Sequence, residues 1–297
     1  MKRMFIWVMA LVMLPVMALA DVVELPIDFS PGLPVQGDYP AKRGSEEMTH
    51  YSDPSIEATY EKVKSDEWQI TYYMARIKVA NATQIRTAAA DSFDKVAVAP
   101  TQTIARRMNA VVAINGDFYI GRSGRYVLRQ GQVFRDGMEE NQDVLLIDED
   151  GDFHIILADE HPENMDKTTI DGKKVINAFC FGPALIRDGE IAVNIDAAQP
   201  VSKPKDGEQR IAICQTGPLE YMVITVAHWG MTVENFANFL YSFGDVQQAY
   251  NLDGGNSCHL VFMGHWRNVI NSTNANRDYR TVPDIIYFAS AYEHEVQ

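Results

Sequence analysis

Cysteine is scarce in this chain, and the little there is forms no motif. Cys180, Cys214 and Cys258 are all it has, and their spacing matches neither a zinc site nor a redox pair. Either two of them pair in an oxidising compartment and leave one over, or all three are buried free thiols. Basic residues are also short: 26 Lys and Arg stand against 40 Asp and Glu, a formal net charge of −14. A field of that sign repels nucleic acid and anionic membranes, so neither is expected as a partner. Internal repeats and low-complexity linkers are missing, which excludes a solenoid or a beaded array. The acidic run Asp143, Asp148, Glu149, Asp150 and Asp152 lacks EF-hand spacing and reads as an exposed turn, so neither a metal nor a cofactor is implied.

Long apolar runs are missing too. The best candidate, residues 4–17, falls short of the ~20 residues that a spanning helix needs and is interrupted by Pro15. Preceded by Lys2 and Arg3 and followed by Ala18-Leu19-Ala20, it reads instead as a secretory signal peptide over residues 1–20. The mature chain is then expected outside the cytoplasm, in the periplasm, cell wall or medium, with no stable membrane insertion. Residues 21–65 read as a lead-in with one helix. The helix is placed at residues 53–64, capped by Ser52 and Asp53, with Pro54 in its first turn and Ile56, Tyr60 and Val63 on one face.

Residues 66–297 read as one domain, long enough to bury a substantial core. Residues 68–79 alternate and are rich in aromatic and β-branched side chains, as a strand requires. A short helix is expected over 101–109, followed by the continuous apolar run 110–114, the pattern of a strand buried on both faces. Further strands are expected near 126–128, 144–147, 153–157, 184–186, 211–214, 221–226, 249–252 and 282–289. Thr232 opens a second helix, whose Phe236, Phe239, Leu240 and Phe243 make a core-facing stripe. Strands and helices do not alternate regularly, which predicts an α+β fold: a mixed or antiparallel β-sheet sandwich with flanking helices.

Two turns carry possible chemistry. Asn115-Gly116-Asp117 presents an aspartate at the end of a buried strand. Asn251-Leu252-Asp253-Gly254-Gly255-Asn256-Ser257 follows another, and its glycines let backbone approach a ligand and aim N–H groups at an anion. By itself that loop is equally well a simple turn. The stretch 121–135 holds Arg122, Arg125, Arg129 and Arg135 and no acid among many acids elsewhere, which suggests an anion site or else an exposed hairpin.

Taken together, Ala113-Ile114-Asn115-Gly116-Asp117-Phe118-Tyr119, Phe181-Gly182-Pro183-Ala184-Leu185-Ile186-Arg187-Asp188-Gly189, Gly230-Met231-Thr232, the Asn251 to Ser257 loop and Arg280-Thr281-Val282-Pro283-Asp284 resemble the phosphodiester glycosidase family. The resemblance runs from about Trp68 to Ala289. It implies a single catalytic domain that hydrolyses the bond between a sugar's anomeric carbon and a phosphate esterified on its other side, within a glycan, a wall polymer or a capped sugar phosphate. Such chemistry wants carboxylates beside an oxocarbenium-like transition state and groups that hold the phosphate. Asp117 and Asp253 are the expected carboxylates, and Arg210, which matches the family's arginine-bearing strand, is the expected grip. Asn115, Gly116, Arg129, Gly182, Asn251, Gly254, Gly255 and Ser257 are expected to line the substrate.

The chain departs from the family at Cys214 and Asn256, where glycine is common, and at Cys258, where a small hydroxyl residue is common. Ala227-His228-Trp229 stands in place of an Asp-Gly-Arg segment. These changes leave room for a non-catalytic carbohydrate-binding protein on the same fold, and for a Cys214 to Cys258 bridge. An acyl hydrolase using Ser257 or Cys258 is a third reading and needs a histidine from elsewhere, for which His228 is the candidate, because His259 would point to the opposite face.

Overall fold

The computed structural model describes residues 21–35, 48–121, 124–137, 142–161, 166–195, 205–227, 230–269 and 280–294. The signal peptide, Arg122, His228 and Trp229 lie outside them. Among the described residues every paired strand is antiparallel, and there are two α-helices. The fold is therefore a β-rich sandwich and only slightly α+β, with no parallel pair to make it mixed.

Three sheets build it. The largest has eight strands, in the order His50–Asp53, Ile56–Ser65, Ile70–Val79, Glu220–Val226, Ile211–Gly217, Gln248–Asn251, Ala184–Arg187 and Glu190–Ile191. A second runs Gln132–Arg135, Val127–Arg129, Lys173–Phe179, Val144–Asp148 and Phe153–Ile156, with Thr169–Ile170 added to Lys173–Phe179. The third runs His265–Trp266, Leu260–Phe262, Ala110–Asn115, Asp284–Ala289 and Ile85–Ala89. One hydrophobic core joins them, with Ala75 and Ile77 of the first sheet, Leu145 and Phe179 of the second and Val112 and Phe288 of the third.

The helices cover sheet faces. α1 (Thr101–Arg107) packs Ile104 and Ala105 with Ala113, Ile285 and Tyr287 of the third sheet. α2 (Val233–Tyr241) begins where Thr232 accepts a hydrogen bond from the Asn235 N–H at 3.1 Å. It buries Phe236, Phe239 and Leu240, at roughly 1.5–3 kcal/mol each. Phe239 sits edge-on to Trp68, in the turn after Ser65, and to Tyr72 of the first sheet, at 5.6 and 5.1 Å between ring centroids.

The helix expected over 53–64 is a β-hairpin. Asp53 ends one strand and its Oδ1 accepts from the backbone N–H groups of Ser55 and Ile56, at 2.7 and 3.1 Å, which makes a turn and not a helix cap. Beyond it Ile56, Ala58 and Tyr60 are buried while Glu57 and Glu61 are exposed, a period of two that the 3.6-residue reading overlooks. Ten residue pairs with Ile70–Val79 then outweigh whatever helix propensity the segment has. That pairing also ties the lead-in into the largest sheet.

Candidate active site

Ala110–Asn115 is buried along its whole length and delivers Asn115, Gly116 and Asp117 to one end of the third sheet. Its neighbour Asp284–Ala289 starts at the same end, and the Gly116 N–H donates to the Asp284 carbonyl at 3.0 Å. Arg129, from the second sheet, reaches across. Its Nη2 lies 2.8 Å from Asp117 Oδ1 and 3.3 Å from Asp284 Oδ2, and its Nη1 donates to the Ala178 carbonyl. Asp117 Oδ2 accepts from the Cys180 N–H at 3.1 Å. The guanidinium lies between aromatic rings, 4.3 Å from the Phe179 centroid and 5.7 Å from that of Phe93.

Two carboxylates share one guanidinium here, and all three groups are buried. Burial pushes the Asp284 carboxyl above the usual carboxylate range, and Asp117 and Asp253 add to the rise against the opposing pull of Arg129. Burial alone would lower the basicity of Arg129, but the two carboxylates outweigh it and hold the guanidinium charged. Asp284 Oδ1, Arg129 Nε and the Tyr119 hydroxyl are buried there without a hydrogen-bond partner among the described residues. Buried polar atoms in that state are uncommon in folded proteins, and three of them meet here.

The glycine loop meets this cluster through backbone. Asn115 Nδ2 donates to the Asp253 carbonyl at 2.9 Å, and Asn115 Oδ1 accepts from the His259 N–H at 3.1 Å. Asn251 Nδ2 donates to the Gly182 carbonyl at 2.8 Å, just before a cis peptide to Pro183. Asp253 itself is half-exposed, in contrast to Asp117 and Asp284. The Gly255 N–H does not aim outward as the sequence suggests. Gly255 donates to the Gln209 carbonyl at 2.9 Å, Ser257 to Gly254 and Cys258 to Gly255. Close packing requires Gly254, where a Cβ would stand 2.7 Å from the Gln209 oxygen, and a φ of +58° favours glycine at 255.

Arg210 flanks the loop, since Leu252 donates to the carbonyl of the next residue, Ile211, at 3.0 Å. It is buried, which lowers its basicity. Its Nε donates to the Met231 carbonyl at 3.0 Å and Nη2 to that of Asp206 at 3.2 Å, so it braces the Gly230-Met231-Thr232 segment. The other arginines also reach backbone. Arg125 bonds to the Cys180 and Phe181 carbonyls, and Arg135 to those of Tyr119 and Arg125. Among the described residues of the arginine-rich stretch, Arg125, Arg129 and Arg135 are in these contacts braces and not an exposed cationic patch.

Ser257 is buried and accepts from Arg280 Nη1 at 3.2 Å. All three cysteines are buried free thiols, so the Cys214 to Cys258 bridge does not form. His259 Nδ1 is 2.8 Å from Thr101 Oγ1, so Thr101 holds that ring nitrogen. The acidic run is not an exposed turn throughout: Asp143 and Asp148 are buried, and Lys173 Nζ reaches Asp148, Asp150 and Asp152 within 3.3 Å.

Sequence reasoning places Asp284 within a motif but gives it no role. Its signal is a carboxylate opening an otherwise apolar strand, Ile285-Ile286-Tyr287-Phe288, where an unpartnered charge would be prohibitively costly.

A family model for phosphodiester glycosidases matches residues 108–289, which hold Asp117, Arg129, Arg210, Asp253 and Asp284. The chain belongs to the phosphodiester glycosidase family. Among solved structures, this phosphodiester glycosidase is similar to the catalytic domain of zebrafish N-acetylglucosamine-1-phosphodiester alpha-N-acetylglucosaminidase, auto-inhibited by its pro-peptide. The TM-score is 0.61 at 17% identity, over 91% of this chain and 98% of that one. A Synechocystis protein of unassigned function matches with a TM-score of 0.51 and 16% identity, over 78% of this chain and 62% of that one. A Burkholderia pseudomallei K96243 protein described as exported matches with a TM-score of 0.51 and 11% identity, over 74% of each chain. At these identities the structures speak for the fold alone. A search of the curated proteins finds no significant match.

Proposed function

We propose that this chain is an exported hydrolase that cleaves the bond between the anomeric carbon of a sugar and a phosphodiester. The observation that carries this reading is the contrast among three neighbouring carboxylates. Asp253 is half-exposed, whereas Asp117 and Asp284 are buried on Arg129. Asp253 is therefore the carboxylate that meets substrate, and its charge stabilises the oxocarbenium character that develops as phosphate departs. Phosphate leaves readily, so strong acid assistance at the leaving oxygen is unnecessary. Asp117, Arg129 and Asp284 are positioning residues: they fix Gly116 and Asn115, and Asn115 in turn fixes the backbone of Asp253. The bracing of Arg210 assigns it the same kind of role beside the loop.

The sequence of residues 1–20 supports export, and the strongly acidic balance argues against nucleic acid as a partner. No helix among the described residues is long and apolar enough to cross a membrane. In this reading residues 21–65 are a lead-in and residues 66–297 a single catalytic domain.

The test is Asp253→Asn, assayed on nitrophenyl- and UDP-linked N-acetylglucosamine phosphodiesters. A fall in turnover of roughly 10²–10⁴-fold with an unchanged melting temperature supports the assignment; wild-type turnover removes Asp253 from it. A second reading, carbohydrate binding without turnover, is favoured by one observation: Arg125, Arg135 and Arg210 all donate to backbone carbonyls. Sugar binding by the wild-type chain without release from any diester would establish that reading instead.

A further inference from the structure

Beside the carboxylate cluster, on the far side of Phe93, lies a cavity of about 570 Å³. That size falls within the ~300–1,000 Å³ typical of small-molecule sites. Phe29, Phe93 and Phe134 form its aromatic wall and pack on one another with ring centroids 5.2–5.6 Å apart. Asp91, Asp94 and Gln132 also line it and are exposed. We propose that this cavity is a carbohydrate subsite that takes a neutral pyranose ring.

The chemistry of the lining selects that ligand. A pyranose has apolar C–H faces that pack on aromatic rings, and equatorial hydroxyls that donate to carboxylates and amides. Charge argues against an anion, because the lining carries two carboxylates and its arginine is held on backbone carbonyls at the cavity wall. Arg107 donates to the Ala89 and Ala90 carbonyls. Asp91 is already paired with Lys95 at 3.0 Å, but a purely apolar ligand would leave Asp94 and Gln132 without use at the rim.

The wall is preorganised. Phe29 belongs to the N-terminal segment, which Arg86 clamps. That guanidinium is fully buried and donates to the Pro26, Asp28 and Ser30 carbonyls at 3.0–3.1 Å. A ring held this way loses little further freedom when a ligand arrives. The cavity also adjoins the candidate active site directly. The Phe93 ring is 5.5 Å from that of Tyr119 and packs on Arg129, and Ala89 in the lining is the strand partner of Asp284. A pyranose in the cavity would thus pack on the ring that backs Arg129. Binding here does not require turnover, so its failure and the failure of the hydrolase reading are separate results.

The test is saturation-transfer NMR with titration of the full chain, using the methyl glycosides of glucose, galactose, mannose and N-acetylglucosamine. Phe134→Ala and Asp94→Asn alter half-buried and exposed lining residues and leave the support of Arg129 intact. At least one glycoside is expected to bind, with affinity about tenfold weaker in each variant and unchanged in Asp253→Asn. If Phe134→Ala fails to fold, Asp94→Asn alone decides. The proposal is overturned by no transfer to any glycoside, by equal affinity in the folded cavity variants, by loss of binding in Asp253→Asn, or by inorganic phosphate displacing the bound glycoside.

Discussion

The carboxylate of Asp284 occupies the space that a side chain on Gly116 would need: Asp284 Oδ1 lies 2.3 Å from where a Gly116 Cβ would stand. Gly116 has no left-handed φ, so close approach and not backbone freedom is what requires glycine there. Gly116→Ala must therefore push a buried carboxylate off Arg129 or force apart the strands that Asp284 and Gly116 join. The expected cost is about 1–3 kcal/mol, the usual range for overpacking, together with loss of diesterase turnover. Urea unfolding measures the first, and a wild-type midpoint would mean that Asp284 has room to move.

Arg129 lies between the same two carboxylates, at 2.8 Å from Asp117 and 3.3 Å from Asp284. Arg129→Met keeps much of the side chain's bulk between Phe93 and Phe179 but leaves both acids without a counter-charge. Breaking a buried pair in this way costs about 3–5 kcal/mol. Adding Asp117→Asn to Arg129→Met should recover some of that loss, because the amide removes the stranded charge. A double-mutant cycle on unfolding free energy reads the coupling, and strict additivity would show that the three groups do not act together.

Much of this arrangement is legible in the sequence, for identifiable reasons. Buried strands such as Ala110–Asn115 stand out as apolar runs, and the stripe of α2 stands out by its spacing. The two candidate turns are placed by the strands they end and by the company of the other motifs. The hairpin at 50–65 reads as a helix because Ser52-Asp53-Pro54 serves a turn as well as a helix start, and pairing with a distant strand decides between them. The roles of the arginines are not legible at all. Charge pattern shows that Arg125, Arg135 and Arg210 are there, but only the fold shows that backbone carbonyls surround them. Asp284 is hidden for the same reason, since its partner Arg129 stands 155 residues away.

The cysteines give a direct check on burial. Burial pushes the Cys180 thiol up to about 12, and raises Cys214 and Cys258 as well. The thiolate is the reactive form, so none should react with a thiol-specific chromogenic disulfide in the native state at neutral pH. Three equivalents should appear after denaturation without reductant. Rapid native reaction, or only one equivalent on unfolding, would contradict the buried free thiols seen here.

His259 sets a dependence of stability on acidity. Burial lowers its imidazole from the ordinary 6.5 down to about 3, outweighing a backbone hydrogen bond at Asn256 that acts the other way. Between those values the unfolded chain binds a proton at this ring that the folded chain does not. Stability from His259 is thus complete above about pH 6.5 and is lost as the pH falls toward 3, by up to ~1.4 kcal/mol per pH unit. Asp284 acts with the opposite sign: its raised carboxyl favours the folded state at low pH, and that contribution is lost as the pH rises. Wild-type stability alone would mix the two. The comparison that separates them is with His259→Asn, whose amide can meet Thr101 where Nδ1 does now. Between pH 6.5 and 5 the wild type should lose about 2 kcal/mol more than the variant, read from urea midpoints at each pH. Parallel curves for the two proteins would place a charged imidazole inside the fold and contradict the burial of His259.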